Sequence, residues 1–285
     1  MRVAELLTEG VATLRAAGLD GAARDARVLL AYALTVPRDR LTLVMGDPVP
    51  DSAIQRYRSA IAARATHQPV AQIVGRRAFW GRDFIVTPDV LDPRPDTETL
   101  IEAALEIPFA RFLDLGTGSG AIALTLLAER PQATALGADL SQAALDVAAQ
   151  NARALELSER VELRCSDWFS AVAGRFDLIV SNPPYISTPE LATLAPDVRA
   201  YEPRMALVPQ DDDGTGLAVY RVICAQAGAY LAPGGWLMVE IGHSQGPAVQ
   251  AMFGAAGFVN IAFRKDMSGH PRVVLGQAAT SKNKP

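Results

Sequence analysis

Cysteine is nearly absent from this chain of 285 residues: Cys165 and Cys224 are the only two, and neither belongs to a metal-type pair. A disulfide framework is excluded, and a reducing, cytoplasmic setting is expected. Long apolar runs are missing as well. No stretch reaches the roughly 18 residues of a membrane span, so no membrane partner is expected. The opening MRVAELLTEG puts Glu5 and Glu9 where a signal peptide would be apolar. Glycine and proline, 22 and 19 residues, follow no period, which excludes fibrous and low-complexity chains. With 49% hydrophobic and 20% charged residues, the chain is too apolar to be disordered. Positive charge is not in excess either: the net charge of -4 argues against a general nucleic-acid coat protein.

What is present suggests about two domains by length. Residues 1–80 hold eleven arginines, no lysine and seven acids, a net +4, whereas residues 81–285 net -8. Either two modules or two differently charged solvated surfaces would give this asymmetry. Residues 1–66 show helical periodicity. Val3, Leu6, Leu7, Val11 and Leu14 share one face, and a second helix is expected from Gly21 to Val36 before Pro37. Asp51 is a plausible N-cap for a third, carrying Ile54, Tyr57 and Ile61. Residues 67–98 read as connector plus hairpin: AFWGRDFIV (Ala78–Val86) has a glycine between two β-rich runs. Asp96 is expected to cap a helix from Thr97.

Residues 99–285 alternate strand and helix. Strands are expected at Ala110–Gly116, Ala133–Leu140, Arg160–Asp167, Phe176–Asn182 and Gly234–Gly242, with helices at Ala121–Arg130, Ser141–Leu155 and near Gly216–Tyr230. This is the pattern of an α/β fold with a mostly parallel sheet. Two further strands, Phe258–Arg264 and Arg272–Leu275, leave no room for a helix between them, so the last should run antiparallel. Residues 278–285 read as a frayed tail.

DLGTGSG (Asp114–Gly120) places Gly116, Gly118 and Gly120 between a strand and a helix, where glycine lets the backbone turn sharply beside a ligand. Ala121 stands where a dinucleotide fingerprint needs its third glycine, so a pyrophosphate cradle is disfavoured. Asp139 ends the next strand, where a carboxylate can accept both ribose hydroxyl protons. Asp167 and Trp168 end the third, where an acid and an aromatic can hold an adenine. Without a ligand, the same residues would read as a tight turn and a helix cap.

Asn182-Pro183-Pro184-Tyr185 follows the fourth strand and faces the same crevice. It suits methyl transfer to a planar nitrogen, whose lone pair is shared with a neighbouring π-system, as in an amide. The Asn182 side-chain oxygen and the Pro183 carbonyl can each accept one N–H. The prolines stiffen the turn, and Tyr185 can stack on the flat acceptor group and favour the incoming positive charge. Catalysis would be orientation and electrostatics.

DLGTGSG, Asp139 and NPPY together resemble the class I S-adenosyl-L-methionine-dependent methyltransferases that act on planar amino groups. FWGRDF (Phe79–Phe84), PRPDTE (Pro93–Glu98), SDWF (Ser166–Phe169), SNPPYI (Ser181–Ile186) and YEPRMAL (Tyr201–Leu207) resemble, more narrowly, the peptide chain release factor glutamine methyltransferases. With the helical front end, the resemblance covers nearly the whole chain. It implies a Rossmann-like class I methyltransferase sheet behind a small N-terminal all-helical domain. It also implies methylation of the glutamine side-chain amide in the Gly-Gly-Gln loop of class 1 release factors, with S-adenosyl-L-homocysteine as product. Gly116, Thr117, Gly118, Ser119, Gly120, Asp139 and Trp168 would contact the cofactor. Asn182 would touch cofactor and substrate; Pro183, Pro184 and Tyr185 would form the glutamine pocket. Arg94 and Glu98 flank the site in roles left open, and Asp92 departs from the apolar residue usual before PRPDTE.

Adenine amino-methyltransferases of DNA or RNA share NPPY, but the -8 of residues 81–285 fits a polyanion poorly. A glutamine methyltransferase of a ribosomal protein is another relative; the intact PRPDTE run favours the release-factor enzyme. A non-catalytic protein using the fold as a scaffold is a third alternative. His243 and His270 lack ligands at metal spacing. Glu240 could line the crevice or serve as a cap or surface residue, and Asp211-Asp212-Asp213 reads as a solvated turn.

Overall fold

The computed structural model describes residues 1–280. The expected tail at 278–285 is split: Ala278 ends a strand, and residues 281–285 lie outside the described residues. The chain divides into two compact units.

The first unit is Met1–Arg76 with Ala195–Tyr201. Its helices Val3–Ala16, Ala22–Leu34 and Asp51–Ala65 bury Leu6, Leu14, Leu29, Leu30, Tyr57 and Ile61 in one core. Gly10 makes the close packing possible, because a Cβ there would lie 2.0 Å from the Tyr57 hydroxyl. Arg64 and Asp25 form a buried ion pair at 2.8 Å. Asp51 does not cap its helix as expected. Pro50 takes the cap position, and Asp51 becomes the first helical residue, where its charge still favours the helix N-terminus.

The second unit, Arg77–Leu194 and Glu202–Pro285, holds the sheets. The hairpin pairs β1 (Arg76–Phe79) with β2 (Arg82–Ile85) around Trp80-Gly81. The main sheet contains β3 (Arg111–Leu115), β4 (Thr134–Asp139), β5 (Val161–Cys165), β6 (Phe176–Ser181), β7 (Leu231–Glu240), β8 (Phe258–Lys265) and β9 (Pro271–Ala278). Their spatial order is β5-β4-β3-β6-β7-β9-β8. β9 runs antiparallel to both β7 and β8, as the missing helix between the last two strands implied. The helix Gly246–Ala255, between β7 and β8, had no distinct signal in the sequence.

This order positions the site. The chain runs outward from β3 to β4 and β5, then returns to β6 on the other side of β3. The carboxyl ends of β3 and β6 therefore flank the switch point where α/β sheets bind ligands. Leu115 is in register with both Ala138 and Ser181, so Gly116, Asp139 and Asn182 stand level, one residue later, at the carboxyl ends of adjacent strands. Both faces of these strands are covered. Leu178, Val180 and Met238 pack with Leu100 and Ile101 on one side, and Leu113, Ile179 and Val239 with Val219 and Ile223 on the other. No helix among the described residues is long and apolar enough to cross a membrane.

Candidate active site

The glycine loop is shaped by its own dihedral angles. Gly116, Gly118 and Gly120 take φ of +70°, +55° and +79°, a region that costs other residues strain. At Gly116 no protein atom lies within 4 Å of where a Cβ would stand. Gly120 serves packing instead. A Cβ there would sit 3.0 Å from Leu124 and 3.4 Å from Ala148, so it brings two helices together. The loop is braced from below by Asp114, which is wholly buried. Its Oδ2 accepts from the Thr117 hydroxyl at 2.7 Å and from the Ala123 N–H at 3.2 Å. Its Oδ1 has no hydrogen-bond partner. Burial pushes its pKa up to about 7. Asp114 thus does for the helix Ala121–Glu129 what a cap would do, because Gly120 has no side chain.

Asp139 closes the loop on the β4 side. Its Oδ2 accepts the Gly118 N–H at 2.8 Å and its Oδ1 the Ser141 N–H at 2.9 Å. Each oxygen keeps a lone pair, so the carboxylate can still accept two hydroxyl protons, the pattern of a ribose diol. Beyond β5, Trp168 is held at φ +47°, a strained value for a bulky residue. Ser166 enforces it: its Oγ donates to the Trp168 carbonyl at 2.8 Å and accepts the Ala171 N–H at 3.0 Å. Gly116, Thr117, Gly118, Ser119, Asp139, Asp167 and Trp168 all line one cavity of about 950 Å³, at the large end for a small-molecule site. The glycine cradle, the spare acceptors of Asp139 and the aromatic wall fit a ribose–adenine cofactor.

Asn182 and Pro184 line the same cavity. Asn182 Nδ2 donates to the Thr97 hydroxyl at 3.2 Å, which leaves Oδ1 as the acceptor for a ligand. Pro183 is buried and Tyr185 half-buried, and neither is part of the cavity wall. Tyr185 packs with the core on the Val239 side of the sheet. Its carbonyl accepts from Gln245 Nε2 at 2.9 Å, while Gln245 Oε1 accepts the Gly242 N–H at 3.0 Å. Gly216, at φ +68°, makes room for this brace; a Cβ there would lie 2.2 Å from the Tyr185 carbonyl oxygen.

PRPDTE supplies the opposite wall. Arg94 Nη2 pairs with Glu202 at 2.7 Å, and Glu202 also accepts the Asp92 N–H at 3.2 Å. Asp92 is buried, and its carboxylate faces Arg77 at 3.5 Å; burial raises its pKa. Glu98 accepts the Trp80 N–H at 3.2 Å and so holds the hairpin turn. Asp96 does not cap a helix: Pro95–Thr97 is a 3-10 turn, the helix is Glu98–Leu105, and Asp96 reaches Arg272 at 3.1 Å. Glu240 is neither a cap nor a surface residue, being 1% exposed at the end of β7. Sequence reasoning also passed over Thr97 and Gln245; Thr97 lay inside a recognised motif, and Gln245 had no signal. The Asp212 carboxylate ties the Thr188 and Gly216 N–H groups, at 2.6 and 2.8 Å, so the acidic turn is built rather than merely solvated. His243 and His270, far apart in sequence, stand edge to face with centroids 6.2 Å apart.

Comparison with known proteins agrees in kind. The PrmC N-terminal domain family matches residues 5–75 and the methyltransferase small domain family residues 89–195. A release factor glutamine methyltransferase of Cereibacter sphaeroides is 57% identical over 96% of this chain and 98% of its own. One from Rhodospirillum rubrum is 44% identical over 95% and 84%. Among solved structures, a Thermus thermophilus 16S rRNA methyltransferase with AdoMet and guanosine bound is similar in fold. It has a TM-score of 0.51 and 22% identity, over 71% of this chain and 49% of that one.

Proposed function

The chain belongs to the release factor glutamine methyltransferase family, and we propose that it methylates the glutamine side-chain amide in the Gly-Gly-Gln loop of class 1 release factors. When bound, S-adenosyl-L-methionine would supply an electrophilic methyl group: the S–C bond would break to leave the neutral thioether, and the amide nitrogen would gain the methyl and lose one N–H proton to water. The protein has to deliver a poor nucleophile in the right orientation. An amide nitrogen is planar, and its lone pair stands perpendicular to the two N–H bonds. Holding both N–H groups in one plane therefore points the lone pair along a single line. The Asn182 Oδ1 and the Pro183 carbonyl serve as the two acceptors and stabilise the positive charge that develops on nitrogen. Tyr185 stiffens the loop through its Gln245-bound carbonyl.

The observation that carries this reading is the Asn182 amide, lining the cavity with its nitrogen already engaged by Thr97. Gly116, Thr117, Gly118, Ser119, Asp139, Asp167 and Trp168 hold the cofactor in this scheme, and Gly120 supports the loop by packing. In the same scheme residues 1–66 form a helical domain that is a candidate for partner recognition, residues 67–98 the connector and hairpin, and residues 99–285 the catalytic domain, acting in the cytoplasm. The test is incubation with purified release factor and labelled cofactor. Labelling should vanish when the acceptor glutamine is changed to alanine; persistence refutes the substrate. Asn182→Ala should keep cofactor affinity and lose turnover by roughly 100-fold or more. Unchanged turnover refutes the role of Asn182.

A further inference from the structure

Glu240 is a buried acid for which the scheme above has no use. Its position is set by register. Ser181 pairs with Val239 across β6 and β7, and Glu240 pairs with Val273 across β7 and β9. Asn182 and Glu240 each follow the Ser181–Val239 pair by one residue. They continue the face on which Val180, Met238 and Val273 pack with Leu100 and Ile101. Thr97 stands at the start of that same helix, Glu98–Leu105, and accepts from Asn182 Nδ2 at 3.2 Å. The Thr97 and Tyr185 hydroxyls lie near the Glu240 carboxyl and favour its charged form, while its buried Oε2 has no hydrogen-bond partner.

Two ambiguities meet here. An asparagine amide turned by 180° has nearly the same shape, so only its hydrogen bonds decide which end faces the cavity. A threonine hydroxyl can donate or accept, so Thr97 alone does not decide. A strong acceptor behind Thr97 removes both ambiguities. We propose that Glu240 is a positioning residue: its carboxylate takes the Thr97 hydroxyl proton, Thr97 then accepts from Asn182 Nδ2, and Oδ1 is locked toward the substrate amide. The inference rests on the reading of Asn182 as the substrate acceptor.

The relay is firm only with Glu240 ionised, when its carboxylate can accept but not donate. The groups that face it are Asp96 and Thr97 ahead of the helix, Tyr185 after β6, Arg272 on β9, and Tyr220 of the helix Ala218–Tyr230, whose hydroxyl binds the Glu240 backbone carbonyl at 2.9 Å. Burial and Asp96 raise its pKa, Thr97, Arg272 and Tyr185 oppose them, and the balance lies at about 7. As pH falls through that value the carboxyl gains a proton and becomes a donor as well as a weaker, neutral acceptor, so the Thr97 hydroxyl is no longer held in one direction.

The Asn182 side-chain amide reports this directly. In the 15N-labelled full chain its signals, assigned by their loss in Asn182→Ala, should shift with a midpoint near pH 7. Glu240→Gln and Thr97→Val should abolish that titration, and Thr97→Ser should retain it. On release factor, Glu240→Gln and Thr97→Val should lower kcat by about 10- to 100-fold, with KM for the cofactor within about twofold. Thr97→Ser should stay near wild type. Persistence of the Asn182 titration in Glu240→Gln, or wild-type kcat in Thr97→Val, overturns the proposal. If Glu240→Gln does not fold, Thr97→Val decides alone by the same two readouts. The spectra need no substrate, so a wild type that methylates no release factor refutes the proposed function and leaves the relay to be judged separately.

Discussion

Asp139→Asn is a small change with two separable consequences. Both carboxylate oxygens already hold a backbone N–H, Gly118 at 2.8 Å and Ser141 at 2.9 Å. An asparagine must turn its own NH2 toward one of these donors, and flipping the amide only exchanges which one. The free protein then leaves a backbone N–H without its acceptor, at a cost of about 1–3 kcal/mol. Binding suffers separately, because one ribose hydroxyl loses a charged acceptor worth about 1.5–3 kcal/mol. At tenfold per roughly 1.4 kcal/mol, Kd for S-adenosyl-L-homocysteine should rise about 10- to 150-fold. Calorimetry measures the affinity, and thermal unfolding of the unliganded protein measures the first cost. An unchanged Kd in folded Asp139→Asn refutes the ribose assignment. A weakened Kd with unchanged unliganded stability refutes the claim that both oxygens are occupied by the loop.

Gly216→Ala should lower kcat more than about 10-fold while cofactor affinity holds, because its Cβ would stand 2.2 Å from the Tyr185 carbonyl oxygen; normal turnover would mean that the NPPY loop tolerates displacement. Gln245→Leu attacks the same brace from the other side, and its kcat should fall in the same direction, with stability followed by melting temperature. Burial lifts the Asp114 pKa to about 7, above the unfolded value of about 3.9. Its contribution to stability is therefore complete below about pH 4 and is lost as pH rises through about 7. Asp114→Asn should accordingly be more stable than wild type at pH 8, by at most about 4 kcal/mol, with a smaller gain at pH 5. Urea unfolding at both pH values checks it, and a variant less stable at pH 8 contradicts it.

What the sequence made legible is what sits at strand ends. Period and punctuation placed β3 to β7 to within about three residues at either end, and the glycines, Asp139 and Asn182 followed from where those strands stop. The antiparallel last strand was legible for a different reason, the shortness of the preceding connection. Residues whose meaning depends on a partner far along the chain were not legible. Asp96 resembled a helix cap because nothing nearby in sequence announces Arg272. Gln245 carries no motif, yet its amide holds the Tyr185 carbonyl 60 residues earlier.

Glu240 makes the distinction sharpest. From sequence it is an acid at a strand end, equally suited to water or to a cap. Its burial is decided by β9, which folds back along β7 and places Val273 beside it, and by the helix Glu98–Leu105, which Thr97 precedes 143 positions earlier in the numbering. The motif residues mark which groups touch ligands, because the chemistry restricts residue type at those points. The groups that orient them are restricted only by geometry, and many residue types can orient an amide. A catalytic side chain can thus be read from its own neighbours in sequence, whereas the proton that fixes its direction belongs to the register of the sheet.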